Sequence, residues 1–290
     1  MVPQRRSVGK LASPQSFANM ACRAGVRGPE GPGEEQMAAN KRATTMPTDE
    51  AKLRQQVAAC TLLLNDLGLL GYSGHVSARI PGRDAIVIQS RDQPRSSLAP
   101  RELLICDFDG KLLKGRAGAG IKPPSEIFLH TEILRARSDV NAVAHFHHDR
   151  TTAFTMVKNA ALKPIKNHAV RWANGIPVHP EPGHVNTPAR GRALAATLGA
   201  AHALLIRAHG QVIAAESVPA VLVDSVNFVE NAEAMILASE LGRGRVLPLT
   251  EAEIADFRGS LNRAHFVDKA WTYYVTLGRG RGVLPATWRF

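Results

Sequence analysis

Cysteine is scarce in this chain. There are three in 290 residues, Cys22, Cys60 and Cys106, with neither a CxxC spacing nor an obvious pair. That excludes a disulfide framework and fits a reducing compartment, so the expected location is cytoplasmic. Long apolar runs are missing too. No stretch approaches the roughly 18 consecutive apolar residues of a membrane span, and no membrane partner is expected. The net charge of +11 would raise nucleic acid as a partner, but clustering is lacking. Residues 1–46 hold seven Lys/Arg against three Glu, and the remaining charge is dispersed, with no basic stripe interleaved with aromatics. A polyelectrolyte partner needs clustered charge, so no nucleic acid is expected.

The signatures of several enzyme classes are also absent. There is no GxSxG elbow, no Walker A loop and no GxGxxG following a strand; the Gly-Arg-Gly-Arg runs at 242 and 278 lie beside helical patterns. Cys106 has no evident base partner, which argues against thiol catalysis.

What is present suits a globular enzyme. The hydrophobic fraction of 44% supports a substantial core in one large domain or two modest ones. Residues 1–46, rich in Arg, Gly, Pro, Ser and Gln, read as a disordered N-terminal extension, with a transit peptide or a translation start at Met37 or Met46 as alternatives, and residues 47–290 as the folded domain. Leu53, Val57, Cys60, Leu64 and Leu67 recur at helical spacing until Gly68 and Gly71 end the pattern. A glycine-punctuated loop, Gly71 to Gly74, enters a strand at His75-Val76-Ser77. Ala85–Gln89 and Leu103–Cys106 read as short strands, the second turning at Asp107 to Gly110. Ser125 to Arg137 reads as a helix capped by Ser125, with Glu126 in its first turn. Residues 158–188 read as loop, and Arg190–Leu198 and Val218–Leu241 as helices. Glu251 to Leu277 reads as helical.

The stretch that organises the chain is Ala142-Val143-Ala144-His145-Phe146-His147-His148. Side chains alternate faces along a strand, so His145 and His147 point one way and Phe146 the other. They are candidates for two ligands of one metal ion, although strand histidines with satisfied hydrogen bonds are the plain alternative. His209-Gly210 closes a second apolar run, Ala203 to Ile206, and Glu126 stands after a loop. Three histidines at strand ends plus one carboxylate suit a catalytic metal site with a position open for substrate. An ordinary helix-start acid is the plain alternative for Glu126. His184, in Pro182-Gly183-His184, is the remaining histidine best placed to line such a site. His75, Arg91 and Arg95 are candidates for gripping a carboxylate, which Arg can do bidentately.

Gly74-His75-Val76-Ser77-Ala78-Arg79, Ser125-Glu126, His145-Phe146-His147 and His209-Gly210 together resemble the class II aldolase/adducin family, over about residues 48–277. The resemblance implies a three-layer α/β/α fold with a largely antiparallel central sheet. It implies one divalent metal ion per subunit (Zn, Mn, Fe or Co) held by His145, His147 and His209, with Glu126 as acid/base and an optional fourth ligand. It also implies a substrate-contacting role for the segment carrying His75 and Ser77. Members are typically homotetramers with sites between subunits, where a tyrosine from the neighbouring C-terminal region reaches in; Tyr273, or its neighbour Tyr274, is the candidate here.

Sugar-phosphate members usually have Asn at the position of His75 and Ser at that of Pro124, and carry small-residue clusters where this chain has Ser90 to Arg95. In Gly-His-Val-Ser and His-Phe-His-His-Asp the chain looks more like the branch that decarboxylates ortho-hydroxylated aromatic acids. The function implied is that of a metal-dependent carbon–carbon lyase acting on a small molecule. An aldolase or epimerase on a sugar phosphate or keto-acid is the alternative, and a non-catalytic adducin-like interaction module the second.

Overall fold

The computed structural model describes residues 49–115 and 121–290. The extension expected over residues 1–46 lies outside the described residues. The helices are α1 (Asp49–Asp66), α2 (Ile127–Ala136), α3 (Asp149–Thr152), α4 (Pro188–Leu198), α5 (Val218–Leu241), α6 (Glu251–Ser260) and α7 (Arg263–Gly280). The strands are β1 (His75–Arg79), β2 (Ala85–Ile88), β3 (Leu104–Asp107), β4 (Leu112–Lys114), β5 (Ala142–Phe146), β6 (Val178–His179), β7 (Ala203–Ile206) and β8 (Gly210–Ala215). They form one sheet in the order β4-β3-β2-β1-β5-β8-β7-β6. Every neighbouring pair is antiparallel except β6 with β7.

Alternation along the strands divides the core into two layers. Val76, Ala78, Ala144 and Phe146 face α1, α5 and α7, packing with Val57, Leu63, Phe228 and Trp271. Ile86, Ile88, Val143 and Val212 face α2 and α4, packing with Leu129, Ile133, Leu194 and Leu198. This is the three-layer α/β/α arrangement with a largely antiparallel sheet. Phe146 is fully buried, a burial that contributes about 1.5–3 kcal/mol. A slip of one residue in β5 would exchange Phe146 for the histidines, so its anchoring also fixes which way they point.

The helix ends follow local chemistry. Ser217 caps α5, its side chain accepting from Ala220 N–H, with proline in the first turn. The C-terminal segment, expected to be helical over 251–277, forms two helices. Leu261 is extended, and Asn262 opens α7 by accepting from His265 N–H. A competent cap inside a helical pattern starts a new helix instead of continuing the old one. Among the described residues no helix is long and apolar enough to cross a membrane.

Candidate metal centre

β1, β5 and β8 are adjacent, and the site is built on the ends of their pairing. His75 lies opposite His145 in the register of β1 with β5, and His145 opposite Val212 in that of β5 with β8. β5 ends at Phe146, which leaves His147 just past the strand and exposed while His145 is fully buried. His209 sits in the turn between β7 and β8, where Ala208 takes a positive φ of 51° and His209 N–H donates to Ile206 C=O.

Two glycines permit this approach. A Cβ at Gly210 would lie 2.5 Å from the Phe146 carbonyl oxygen and 3.0 Å from His147 Cδ2. Gly74 has φ +93°, and a Cβ there would lie 2.5 Å from Leu70 and 2.8 Å from the His145 carbonyl. The backbone therefore passes the histidines more closely than any side chain would allow.

Glu126 occupies the N-cap position of α2, not its first turn, and makes no capping bond. Its carboxylate accepts from Val185 N–H at 3.1 Å and is otherwise turned toward the imidazoles. Oε2 stands 3.4 Å from His145 Nε2, and Oε1 3.7 Å from His209 Nε2. One ligand-type atom from each of Glu126, His145, His147 and His209 lies within 4.8 Å of all the others. The His147 and His209 rings stack, 5.0 Å between centroids and 2° between planes.

Second contacts set the tautomers. Nδ1 of His145 meets the Gln211 carbonyl at 2.9 Å, so Nδ1 carries a proton, and in the neutral ring Nε2 is the nitrogen with the lone pair. That Nε2 is buried and has no hydrogen-bond partner. Nδ1 of His147 pairs with Ser73 Oγ at 3.0 Å. Burial, followed by the charges His145 and His209 would carry, pushes His147 down to about 3, and burial followed by His145 lowers His209. Burial works against the charge on Glu126, but the adjacent His145, His75 and the Val185 N–H outweigh it and hold the carboxyl well below its usual range. An ionised carboxylate thus stands beside the lowered imidazoles of His147 and His209 and the unpartnered buried Nε2 of His145, a donor set that fits a divalent cation.

The other expected site residues are placed differently from one another. His75 is buried, its ring 5.4 Å from that of His145, with Nδ1 on His130. His184 is exposed, its ring 5.8 Å from that of His209. Arg91 is half-exposed and pairs with Asp92 at 3.3 Å. Ser77 and Arg95, expected to touch substrate, make their hydrogen bonds inside the protein: Ser77 Oγ with His130 at 2.7 Å, and Arg95 to the carbonyls of Gly74, Arg91 and Gln93. Arg95 therefore braces the 91–95 loop against the glycine turn. Tyr273 is exposed on α7 and its ring contact is Tyr274, so within one chain it is not gathered with the histidines.

Two residues of the site had no place in the sequence reading. Gln211 orients His145 through its carbonyl, a role any residue type can fill and no sequence pattern reveals. His130 lies four residues after Glu126 on α2, and that one-face spacing was a usable signal.

Comparison with known proteins gives a consistent picture. The Class II Aldolase and Adducin N-terminal domain matches residues 55–236. The 3,4-dihydroxyphthalate decarboxylase of Arthrobacter keyseri is 31% identical over 236 residues, 76% of this chain and 92% of that protein. The L-fuculose phosphate aldolase of Methanococcus vannielii is 32% identical over 106 residues, 36% of this chain and 54% of that protein. Among solved structures, an aldolase II superfamily protein from Pseudomonas syringae superposes with a TM-score of 0.72 at 21% identity, covering 83% of this chain and 97% of that one.

Proposed function

The chain belongs to the class II aldolase and adducin family, and from that membership we propose a metal-dependent lyase that removes CO2 from an ortho-hydroxylated aromatic carboxylic acid, a hydroxylated phthalate in the first instance. The observation that carries this reading is the convergence of Glu126, His145, His147 and His209 within 4.8 Å. The 31% identity to a dihydroxyphthalate decarboxylase supports the substrate class.

His145, His147 and His209 would hold the divalent ion, each in the neutral form that a ligand requires and each with one nitrogen turned inward. When bound, the ion supplies Lewis acidity that draws electron density toward the substrate oxygen beside the departing carboxylate. Glu126, held ionised, takes the proton of the ortho hydroxyl and passes it to the ring carbon that bears the carboxylate. The carbon–carbon bond then breaks, its electron pair restores the aromatic ring, and CO2 departs. Solvent reprotonates the phenolate, so one proton is consumed per turnover. His75 and His184, whose rings lie beside those of His145 and His209, would be substrate contacts.

An oligomer completes the picture. Tyr72, beside the Ser73 that holds His147, is 95% exposed. Met156 and Val157 are 60% and 62% exposed, directly after the Thr155 whose hydroxyl takes up Ala208 N–H next to His209. Large apolar side chains around a catalytic centre call for a cover, and a homotetramer in which Tyr273 of another copy approaches the site would supply it. The buried free thiols of Cys60 and Cys106 support a cytoplasmic protein.

The second reading, an aldolase acting on a sugar phosphate, is favoured by the 106-residue match to an L-fuculose phosphate aldolase. CO2 release from hydroxylated phthalates, measured against aldehyde release from sugar phosphates, separates the two. An adducin-like module without catalysis would show neither.

A further inference from the structure

Beneath the metal cluster runs a second line of polar side chains that the proton transfers above do not use. β1 puts His75 and Ser77 on one face, two residues apart, and α2 lays His130 across both. Ser77 Oγ is 2.7 Å from His130 Nδ1, and His130 Nε2 is 3.0 Å from His75 Nδ1. Ser77 and His130 are fully buried and His75 is 6% exposed. Among the described residues no carboxylate bonds to either ring, and a buried imidazole without a counter-charge is held in its neutral form.

Two neutral imidazoles that share a hydrogen bond have one donor and one acceptor between them, so the whole line has only two polarities. In the first, Ser77 O–H donates to His130 Nδ1, His130 Nε2–H donates to His75 Nδ1, and His75 carries its proton on Nε2. In the second, His75 Nδ1–H donates to His130 Nε2, and His130 Nδ1–H donates to Ser77 Oγ. The Ser77 hydroxyl hydrogen then has no acceptor, because His130 is its sole hydrogen-bond partner among the described residues. A buried donor without a partner is the more expensive arrangement.

We propose that Ser77 and His130 are positioning residues that fix His75 as its Nε2–H tautomer. His75 then presents the site with a hydrogen-bond donor, suited to an acceptor oxygen such as a substrate carboxylate. A protonated nitrogen has no lone pair for a cation, so the same device keeps a fourth imidazole out of the ligand set. The donor polarity stands on the geometry alone; its use toward an aromatic carboxylate rests on the function proposed above.

The test is the nitrogen spectrum of the full chain, zinc-loaded and labelled with ¹⁵N-histidine, at neutral pH. Two-bond N–H correlations report which ring nitrogen is protonated, and His75→Gln and His130→Gln assign the signals. We expect protonated Nε2 and bare Nδ1 on both rings; a proton on Nδ1 of His75 overturns the proposal. Ser77→Ala should mix the His130 and His75 tautomers and raise KM for the carboxylate substrate about tenfold, about 1.4 kcal/mol, with a smaller change in kcat. Ser77→Thr, which keeps the hydroxyl, should restore both. Spectrum and KM unchanged in Ser77→Ala would also overturn it. If Ser77→Ala does not fold, the wild-type spectrum still decides. A protein with the expected tautomers but no CO2 release would sink the proposed substrate class and leave the relay standing.

Discussion

Nε2 of His145 faces Oε2 of Glu126 across 3.4 Å, with His145's proton committed to the Gln211 carbonyl on the far side of the ring. With that ring in the neutral form a metal ligand needs, two lone pairs face each other with no hydrogen between them, and they repel unless a cation sits near both. That relationship makes Glu126 the first residue to test. Glu126→Gln keeps the shape and the contact with Val185 N–H but cannot move a proton. Turnover should fall by about 10²–10⁴-fold while metal analysis still finds the ion held by three imidazoles. A variant as active as the wild type would remove Glu126 from the proton path.

Gly210 tests how tightly the backbone must approach. In Gly210→Ala the new methyl would meet the Phe146 carbonyl at 2.5 Å and His147 at 3.0 Å, and main chain cannot swing aside as a flexible side chain can. The expected loss is about 1–3 kcal/mol of stability, accompanied by weaker metal binding because His147 is displaced. Thermal melting and metal titration of the same variant measure both. A variant with an unchanged melting temperature and unchanged affinity would show that β8 has room to spare.

The buried His130 makes stability depend on pH. Its ordinary value is 6.5 and burial pushes it down to about 3. The unfolded chain takes up a proton as the pH drops below 6.5, and the folded chain does not until near 3. Stability from this residue is therefore complete above pH 6.5 and is lost progressively toward 3. Between pH 7 and 5 the loss is about 2 kcal/mol for His130 alone. Urea unfolding of the metal-free protein at the two pH values should show a drop that shrinks by about that amount in His130→Gln. An equal drop in both proteins would contradict the assignment.

Asp224 separates fold from chemistry. It is buried on α5 and pairs with Arg171 at 3.3 Å and Arg263 at 2.8 Å, tying the segment before β6 and the start of α7 to α5. Removing one partner of a buried ion pair leaves uncompensated charge, so Asp224→Ala should destabilise by about 3–5 kcal/mol. Glu216 contacts the same two arginines from a side chain that is 43% exposed. Glu216→Ala should cost at most about 1 kcal/mol. Chemical denaturation of the two variants checks the contrast, and similar losses would mean that Asp224 is not the anchor.

Much of the fold was legible because its determinants are local. The α5 boundaries follow from Ser217, a proline and an unbroken apolar face, and β5 from five apolar-rich residues ending at His145-Phe146. The break at Leu261-Asn262 was missed because a cap inside a helical pattern looks like another polar helix position. That Glu126, His145, His147 and His209 come together was legible through strand alternation and the placing of His209-Gly210 at a second strand end. What Ser77 and Arg95 touch was not. Each lies beside the site in sequence, yet its partners, His130 and three loop carbonyls, are set by packing between α2, β1 and the 91–95 loop. Glu126 is the N-cap instead of a first-turn residue, a one-residue shift, yet its carboxylate makes no capping bond and faces the histidines.

The central claim is that these four side chains gather one divalent ion on which turnover depends. Metal content and CO2 release from a hydroxylated phthalate should therefore be measured on the same preparation before chelation, after chelation and after metal is restored. One ion per chain, activity lost with it and regained on restoration, is the predicted result. Full activity after exhaustive metal removal would contradict the account.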